Sequence, residues 1–217
     1  LDKAIFITAT DTGVGKTTIS KALAKLLKDK GYKVAYFKPI ETGIEKEENT
    51  DYYSLLQITK QEDLAVLYKF KNPVAPYTAT LLEGVDIDID LIKNHLENLK
   101  NKYDFVIVEG AGGVAVPIKI DYTYLDFIKE TKIPVLVVSR SKLGTINHTY
   151  LTIKALKDIN ADIKGIIINE YEGNDISEKT NPEIIEKMTN IPILAICNKS
   201  DNPTEECYKK LLNKINI

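Results

Sequence analysis

Six short apolar runs recur along the chain: Ala4–Ile7, Val34–Phe37, Phe105–Val108, Val135–Val138, Gly165–Ile168 and Ile193–Ile196. None alternates polar with apolar residues. A strand with one wet face alternates, so a strand that is apolar throughout must be covered on both sides. That requirement selects a parallel sheet between two layers of helices. Helical periodicity fills the gaps. Ile19, Leu23, Leu26 and Leu27 share one face of a stretch running from Ile19 to Lys30. Leu91, Ile92, His95, Leu96 and Leu99 repeat the pattern, as do Leu151, Ala155, Leu156 and Ile159 between about Ile146 and Ile159. Asn181–Asn190 and Thr204–Ile215 complete the helical set. Alternating strands and helices imply right-handed crossovers. The stretch Thr59–Gly84 is the least regular; with Pro73 and Pro76 it is expected to drape over a site as a loop.

A length of 217 residues fits one α/β domain spanning 1–217 with a substantial core. The net charge is −2 and no basic stripe stands out, which argues against a nucleic-acid partner. No apolar run reaches the length of a membrane span and no signal peptide precedes the first strand, so a cytoplasmic, membrane-free protein is expected. Cys197 and Cys207 have neither CxxC nor histidine-paired spacing and read as passive thiols in a reducing compartment.

The first apolar run leads into Thr10-Asp11-Thr12-Gly13-Val14-Gly15-Lys16-Thr17-Thr18, which opens a helix. A strand, a tight loop and a helix with Gly-Lys-Thr at the junction form a phosphate cradle. The helix start has unpaired N–H groups, and its dipole favours negative charge. Gly15 lets the backbone approach an oxygen, Lys16 brings charge to the outer phosphates, and the Thr17 hydroxyl suits a magnesium ion bridging them. The usual pattern has a further glycine where this chain has Thr10. The bland alternative is an ordinary strand–helix turn capped by Asp11 or Thr12. The fold class that follows is α/β, P-loop NTPase-like, with a mostly parallel sheet and helices on both faces.

Ligands of open parallel sheets bind at the carboxyl ends of strands. There the chain places Lys38-Pro39-Ile40-Glu41-Thr42-Gly43, Glu109-Gly110-Ala111-Gly112-Gly113, Ser139 to His148, Asn169-Glu170 and Asn198-Lys199-Ser200-Asp201. Lys38 suits an anion, and Glu109 suits magnesium or its surroundings. Asp51 is either a helix cap or a second metal carboxylate; magnesium takes only one or two. The segment around Gly144 starts a helix and offers a second anion site. His148 and His95 read as structural. Asn169 brings an amide to a place where a nucleobase could be read. Asn198–Asp201 is similar to a guanine-reading tetrapeptide, but no Asp-x-x-Gly switch accompanies it.

Taken together, Thr10–Thr17, Phe37–Gly43, Thr50-Asp51, Asn72-Pro73-Val74-Ala75-Pro76, Val108–Gly113 and Lys142-Leu143-Gly144-Thr145-Ile146-Asn147-His148 resemble the dethiobiotin synthetase family, in that family's order. The resemblance implies a ligase that takes 7,8-diaminononanoate, CO2 and ATP and closes a cyclic urea, giving dethiobiotin, ADP and phosphate. It implies a carbamate and then a carbamic–phosphoric anhydride. It implies that Gly13, Val14, Gly15, Lys16, Thr17, Thr18, Glu109 and Asn169 bind nucleotide, with Asn169 at the purine. Thr12, Lys38, Thr42, Gly112 and Gly113 would meet the substrate, with Lys38, Lys16 and Thr12 catalytic. Thr17, Asp51 and Glu109 would hold Mg2+. It further implies a homodimer in which Leu143, Gly144, Thr145 and Asn147 of one subunit bind the carboxylate of substrate held by the other.

The family has glycine where this chain has Ala9, which alanine can replace unless the position needs positive φ. The match weakens after Asn169. Rival readings are less complete. A glutamine-using amidoligase would need a glutaminase domain for which the chain has no room. A partitioning switch would carry a second lysine early in the phosphate loop, where this chain has Thr10, and often a membrane-binding tail; Glu205–Ile217 is short and mildly basic. A guanine-nucleotide binder rests on Asn198–Asp201 alone.

Overall fold

A computed structural model describes residues 3–212 and 214. The strands are β1 (Ala4–Ala9), β2 (Val34–Phe37), β3 (Ile40–Glu41), β4 (Tyr68–Lys69), β5 (Phe105–Gly113), β6 (Pro117–Lys119), β7 (Tyr122–Thr123), β8 (Val135–Arg140), β9 (Ile163–Tyr171) and β10 (Ile193–Asn198). The helices are α1 (Lys16–Asp29), α2 (Asp51–Thr59), α3 (Pro76–Glu83), α4 (Ile89–Lys102), α5 (Tyr124–Thr131), α6 (Thr145–Asp158), α7 (Ile176–Thr189) and α8 (Pro203–Leu211). The six apolar runs are the six strands of one sheet, in the order β10-β9-β8-β1-β5-β2. Every pairing between them is parallel.

Alternate side chains of each strand enter different cores. Ala4 and Phe6 of β1, with Val106 and Val108 of β5, pack under α4, α5, α6 and α7. Ile5 and Ile7, with Phe105 and Ile107, pack under α1, α2 and α8. Both faces are covered, which is why no strand needed a polar side. Among the described residues no helix is long and apolar enough to cross a membrane.

Three expectations need correction. Thr59–Gly84 is not a plain loop: it contributes β4 and, from Pro76 at the first helical turn, α3. Proline belongs there because its missing N–H has no partner to lose. The helix expected at Asn181–Asn190 begins earlier, at Ile176, because the Asp175 side chain caps it by accepting from Ser177 N. Pro182 lies inside that helix rather than at its start. The last helix ends at Leu211; the expected segment runs on through Asn213 and Ile215, which lie outside the described residues. The short elements β3, β6, β7 and α5 carry no long periodic pattern and escaped the sequence reading.

The core makes a stability prediction. Ile107 is fully buried on β5, inside the sheet beside β1. Ile107→Ala should cost about 2–5 kcal/mol in a urea melt; a loss below about 1 kcal/mol would mean the site collapses freely.

Candidate active site

The phosphate loop joins β1 to α1 at the middle of the sheet. Its shape is set by two glycines in the left-handed region, Gly13 at φ 68° and Gly15 at φ 100°. A β-carbon on Gly15 would lie 2.1 Å from Asn169 Nδ2, so no other residue fits there. Neither Ala9 nor Thr10 has positive φ, so neither position calls for the glycine seen in related patterns. Gly15 caps α1 with no side-chain help, and neither Asp11 nor Thr12 caps it. The helix start is thus left to a ligand.

β2 and β5 bring their ends beside this loop. The Lys16 ammonium donates to Gly112 O at 3.0 Å and to Asp11 O at 3.4 Å. Burial pulls its pKa down, partly opposed by Glu109. Glu109 is 1% exposed. Thr17 Oγ1 donates toward its Oε1 at 2.8 Å and Ser20 Oγ to its Oε2 at 2.6 Å. Thr17 Oγ1 also lies 3.0 Å from Asp51 Oδ2. Thr17 has one hydroxyl proton and two carboxylates competing for it. Thr50, not Asp51, caps α2 by accepting from Tyr53 N, which leaves the Asp51 carboxylate for the site.

Lys38 follows β2. Its ammonium donates to Glu41 Oε1 at 2.9 Å and lies 3.9 Å from Glu109 Oε1. Burial works against the charge, but the carboxylates of Glu109 and Glu41 together hold the Lys38 pKa above its ordinary value. Burial likewise raises the Glu41 carboxyl, against the pull of Lys38. Among the described residues the Tyr36 hydroxyl is buried without a hydrogen-bond partner, and burial next to Glu109 pushes its pKa up.

Lys16, Thr17, Lys38, Glu41, Asp51 and Glu109 line one cavity of about 630 Å³. Thr12, Gly13, Gly15, Lys16, Thr17, Thr18, Lys38, Thr42, Asp51, Glu109 and Gly112 all reach it, and Pro73–Pro76 form a further wall. The remaining expected residues stand apart. Val14 is buried, and its carbonyl accepts from Asn169 Nδ2 at 2.9 Å. Asn169 Oδ1 accepts from the Cys207 thiol at 3.7 Å, so both ends of the amide are committed to protein partners. Gly113 pairs with Ala9 in the sheet. Leu143, Gly144, Thr145 and Asn147 do not line the cavity of their own chain. Leu143 is 85% exposed, while the Thr145 hydroxyl turns inward to donate to Arg140 O at 2.6 Å. Cys197 and Cys207 are free and buried. The Asn198 side-chain amide donates to Glu206 Oε1 at 2.7 Å, next to the Asn202 cap of α8.

Three residues of the site escaped the sequence reading. Ser20 lies one helical turn after Thr17, a spacing that could have found it. Glu41 lies three residues after Lys38, inside a segment already singled out. Arg140 is the only arginine in a chain with 29 lysines and arginines, and that rarity was its signal.

Thr17 Oγ1, Asp51 Oδ2 and Glu109 Oε1 fit a magnesium ion. An octahedral ion with bonds of about 2.05 Å spaces adjacent oxygens roughly 2.9 Å apart, close to the 2.8 and 3.0 Å found here. Two carboxylates suffice, because magnesium keeps water and phosphate as its other ligands.

The buried ammonium of Lys16 opposes folding at neutral pH, since its folded pKa lies below the unfolded one. Lys16→Met should therefore raise the melting temperature of the ligand-free protein while abolishing nucleotide binding, read by differential scanning and titration calorimetry. An unchanged nucleotide affinity would remove Lys16 from the site.

An AAA domain family model matches residues 3–206. The ATP-dependent dethiobiotin synthetase BioD of Aquifex aeolicus is 50% identical over 188 residues, covering 86% of this chain and 85% of its own. The protein of that name from Methanocaldococcus jannaschii is 44% identical over 216 residues, covering 96% and 99%. Among solved structures, the Pyrococcus furiosus cell division ATPase MinD superposes with a TM-score of 0.63 at 18% identity, covering 99% of this chain and 98% of that one, which speaks to fold alone. With a phosphate loop, paired lysines and relatives this similar over nearly their whole length, the chain belongs to the ATP-dependent dethiobiotin synthetase family.

Proposed function

We propose that the chain, as one domain, catalyses the ATP- and Mg2+-dependent closure of a cyclic urea on 7,8-diaminononanoate with CO2, releasing dethiobiotin, ADP and phosphate. The observation that carries this reading is the convergence of two buried ammoniums and three metal-suited oxygens on one cavity at the phosphate loop. Carbamate and terminal phosphoryl are both anions and repel each other. Joining them requires positive charge held in place before they meet.

In this reading one substrate amine captures CO2 as a carbamate. A carbamate oxygen attacks the terminal phosphorus, the bond to ADP breaks, and a carbamic–phosphoric anhydride forms. The second amine attacks the carbamoyl carbon and phosphate leaves. The N–H groups of Gly13–Thr18 receive the phosphates, and Lys16 spans the outer two. Lys38 leaves Glu41 to meet the carbamate and the transferring phosphoryl. Thr12, Thr42 and Gly112 orient the diamine, and Gly113, paired with Ala9, fixes the strand end beside them. Thr17, Asp51 and Glu109 would hold a magnesium ion, which would supply further charge neutralisation at the phosphates. No nucleophilic side chain is needed; the protein's work is positioning and electrostatics. Asn169 stays in the nucleotide set, and reading a purine requires it to exchange a bond to Val14 or Cys207.

The substrate carboxylate is assigned to the helix start Leu143, Gly144, Thr145 and Asn147 of a second copy. Its distance from the cavity of its own chain and the exposed Leu143 support a homodimer with the site at the interface. With Thr145 turned inward, that contact falls to backbone N–H groups and Asn147. The two reduced thiols fit a cytoplasmic location.

Incubation with diaminononanoate, bicarbonate, Mg2+ and ATP should yield dethiobiotin by mass spectrometry; a folded, nucleotide-binding protein that makes none would overturn the reading. Lys38→Ala should lower kcat by about 10²–10³-fold, the loss typical of a transition-state charge donor, and leave nucleotide affinity near wild type. Normal turnover in that variant would remove Lys38 from the mechanism.

A further inference from the structure

The strand order places the two sides of the phosphate loop in different hands. β5 and β2, which carry Glu109 and Lys38 to the cavity, lie on one side of β1; β8 and β9 lie on the other. From that other side come two donors. Arg140 Nη2 donates to Thr12 O at 3.0 Å, and Asn169 Nδ2 donates to Val14 O at 2.9 Å. A trans peptide is planar, with its C=O and N–H pointing in opposite directions. Drawing the Thr12 carbonyl toward β8 therefore turns the Gly13 N–H toward the cavity. Drawing the Val14 carbonyl toward β9 does the same for the Gly15 N–H. Glycine at each of these positions makes the peptide free to flip unless something holds the carbonyl.

Asn169 does this from the core. Arg140 does it from the surface, which explains why the chain uses its single arginine there. An exposed lysine ammonium is strongly hydrated and would stay in water, whereas a guanidinium is weakly hydrated and its planar fork seats on a carbonyl with less loss of freedom. Among the described residues the Thr12 carbonyl is the guanidinium's one hydrogen-bond partner. A β-carbon on Gly13 would sit 3.7 Å from Arg140 Nη2, so the guanidinium lies against the loop tip itself.

We propose that Arg140 is a positioning residue that holds the Thr12–Gly13 peptide so that the Gly13 N–H is aimed at phosphate before nucleotide arrives. The proposal rests on the loop's binding nucleotide, and not on which amine or acid is the second substrate. Arg140→Ala should weaken ATP binding about tenfold by titration calorimetry, the loss of one charge-assisted hydrogen bond. It should leave the melting temperature unchanged. Millimolar guanidinium ion should restore much of the affinity, and Arg140→Lys should remain weak. Wild-type affinity in Arg140→Ala, or a loss that guanidinium does not repair, would overturn the proposal. A wild-type protein that failed to bind ATP would instead fault the reading of the loop.

Discussion

The Glu109 carboxylate is the constraint around which the carboxyl edge of the sheet is built. It is almost wholly buried in the middle of β5, where an uncompensated charge would be costly. Thr17 and Ser20 of α1 supply its hydrogen bonds, and Lys38 stands within ion-pair distance. Each partner is fixed by a different element. α1 can present Thr17 and Ser20 only if Gly15 starts the helix where it does, and Lys38 can approach only because β2 pairs directly with β5. One buried charge thus ties the register of the sheet to the geometry of the phosphate loop.

The same arrangement explains why the site is loaded with opposing charges. Lys38 rests on Glu41, and Lys16 rests on backbone carbonyls. Neither ammonium is free, and neither is far from where an anion would lie. Both lysines are buried, so each charge acts through a lower dielectric than solvent and is worth more to an incoming phosphate than it would be in water. The burial that depresses the Lys16 pKa is a stability cost concentrated at the place where the chemistry needs charge.

Much of this was legible in the amino acids. Strands covered on both faces cannot hide, because they lack a polar period; all six runs became the central sheet. The phosphate loop was legible because its glycines and lysine serve a backbone geometry with few substitutes. What escaped was set by contacts distant in sequence. Arg140 touches Thr12 across 128 positions and Asn169 touches Val14 across 155. Periodicity carries no trace of such pairings. Asn169 was read as a base contact from its place at a strand end, and its amide is spent on the loop and on Cys207. The start of α7 escaped because its signal is the Asp175 cap, well ahead of Pro182 inside the helix.

The central claim is that two ammoniums held at the carboxyl edge bring two anions together. A crystal structure with Mg2+ and a non-hydrolysable ATP analogue tests it most directly. The account predicts that Lys16 Nζ and Lys38 Nζ both lie within hydrogen-bond distance of the terminal phosphoryl, with Lys38 released from Glu41. Both side chains turned away from that group, with Lys38 still seated on Glu41, would contradict it.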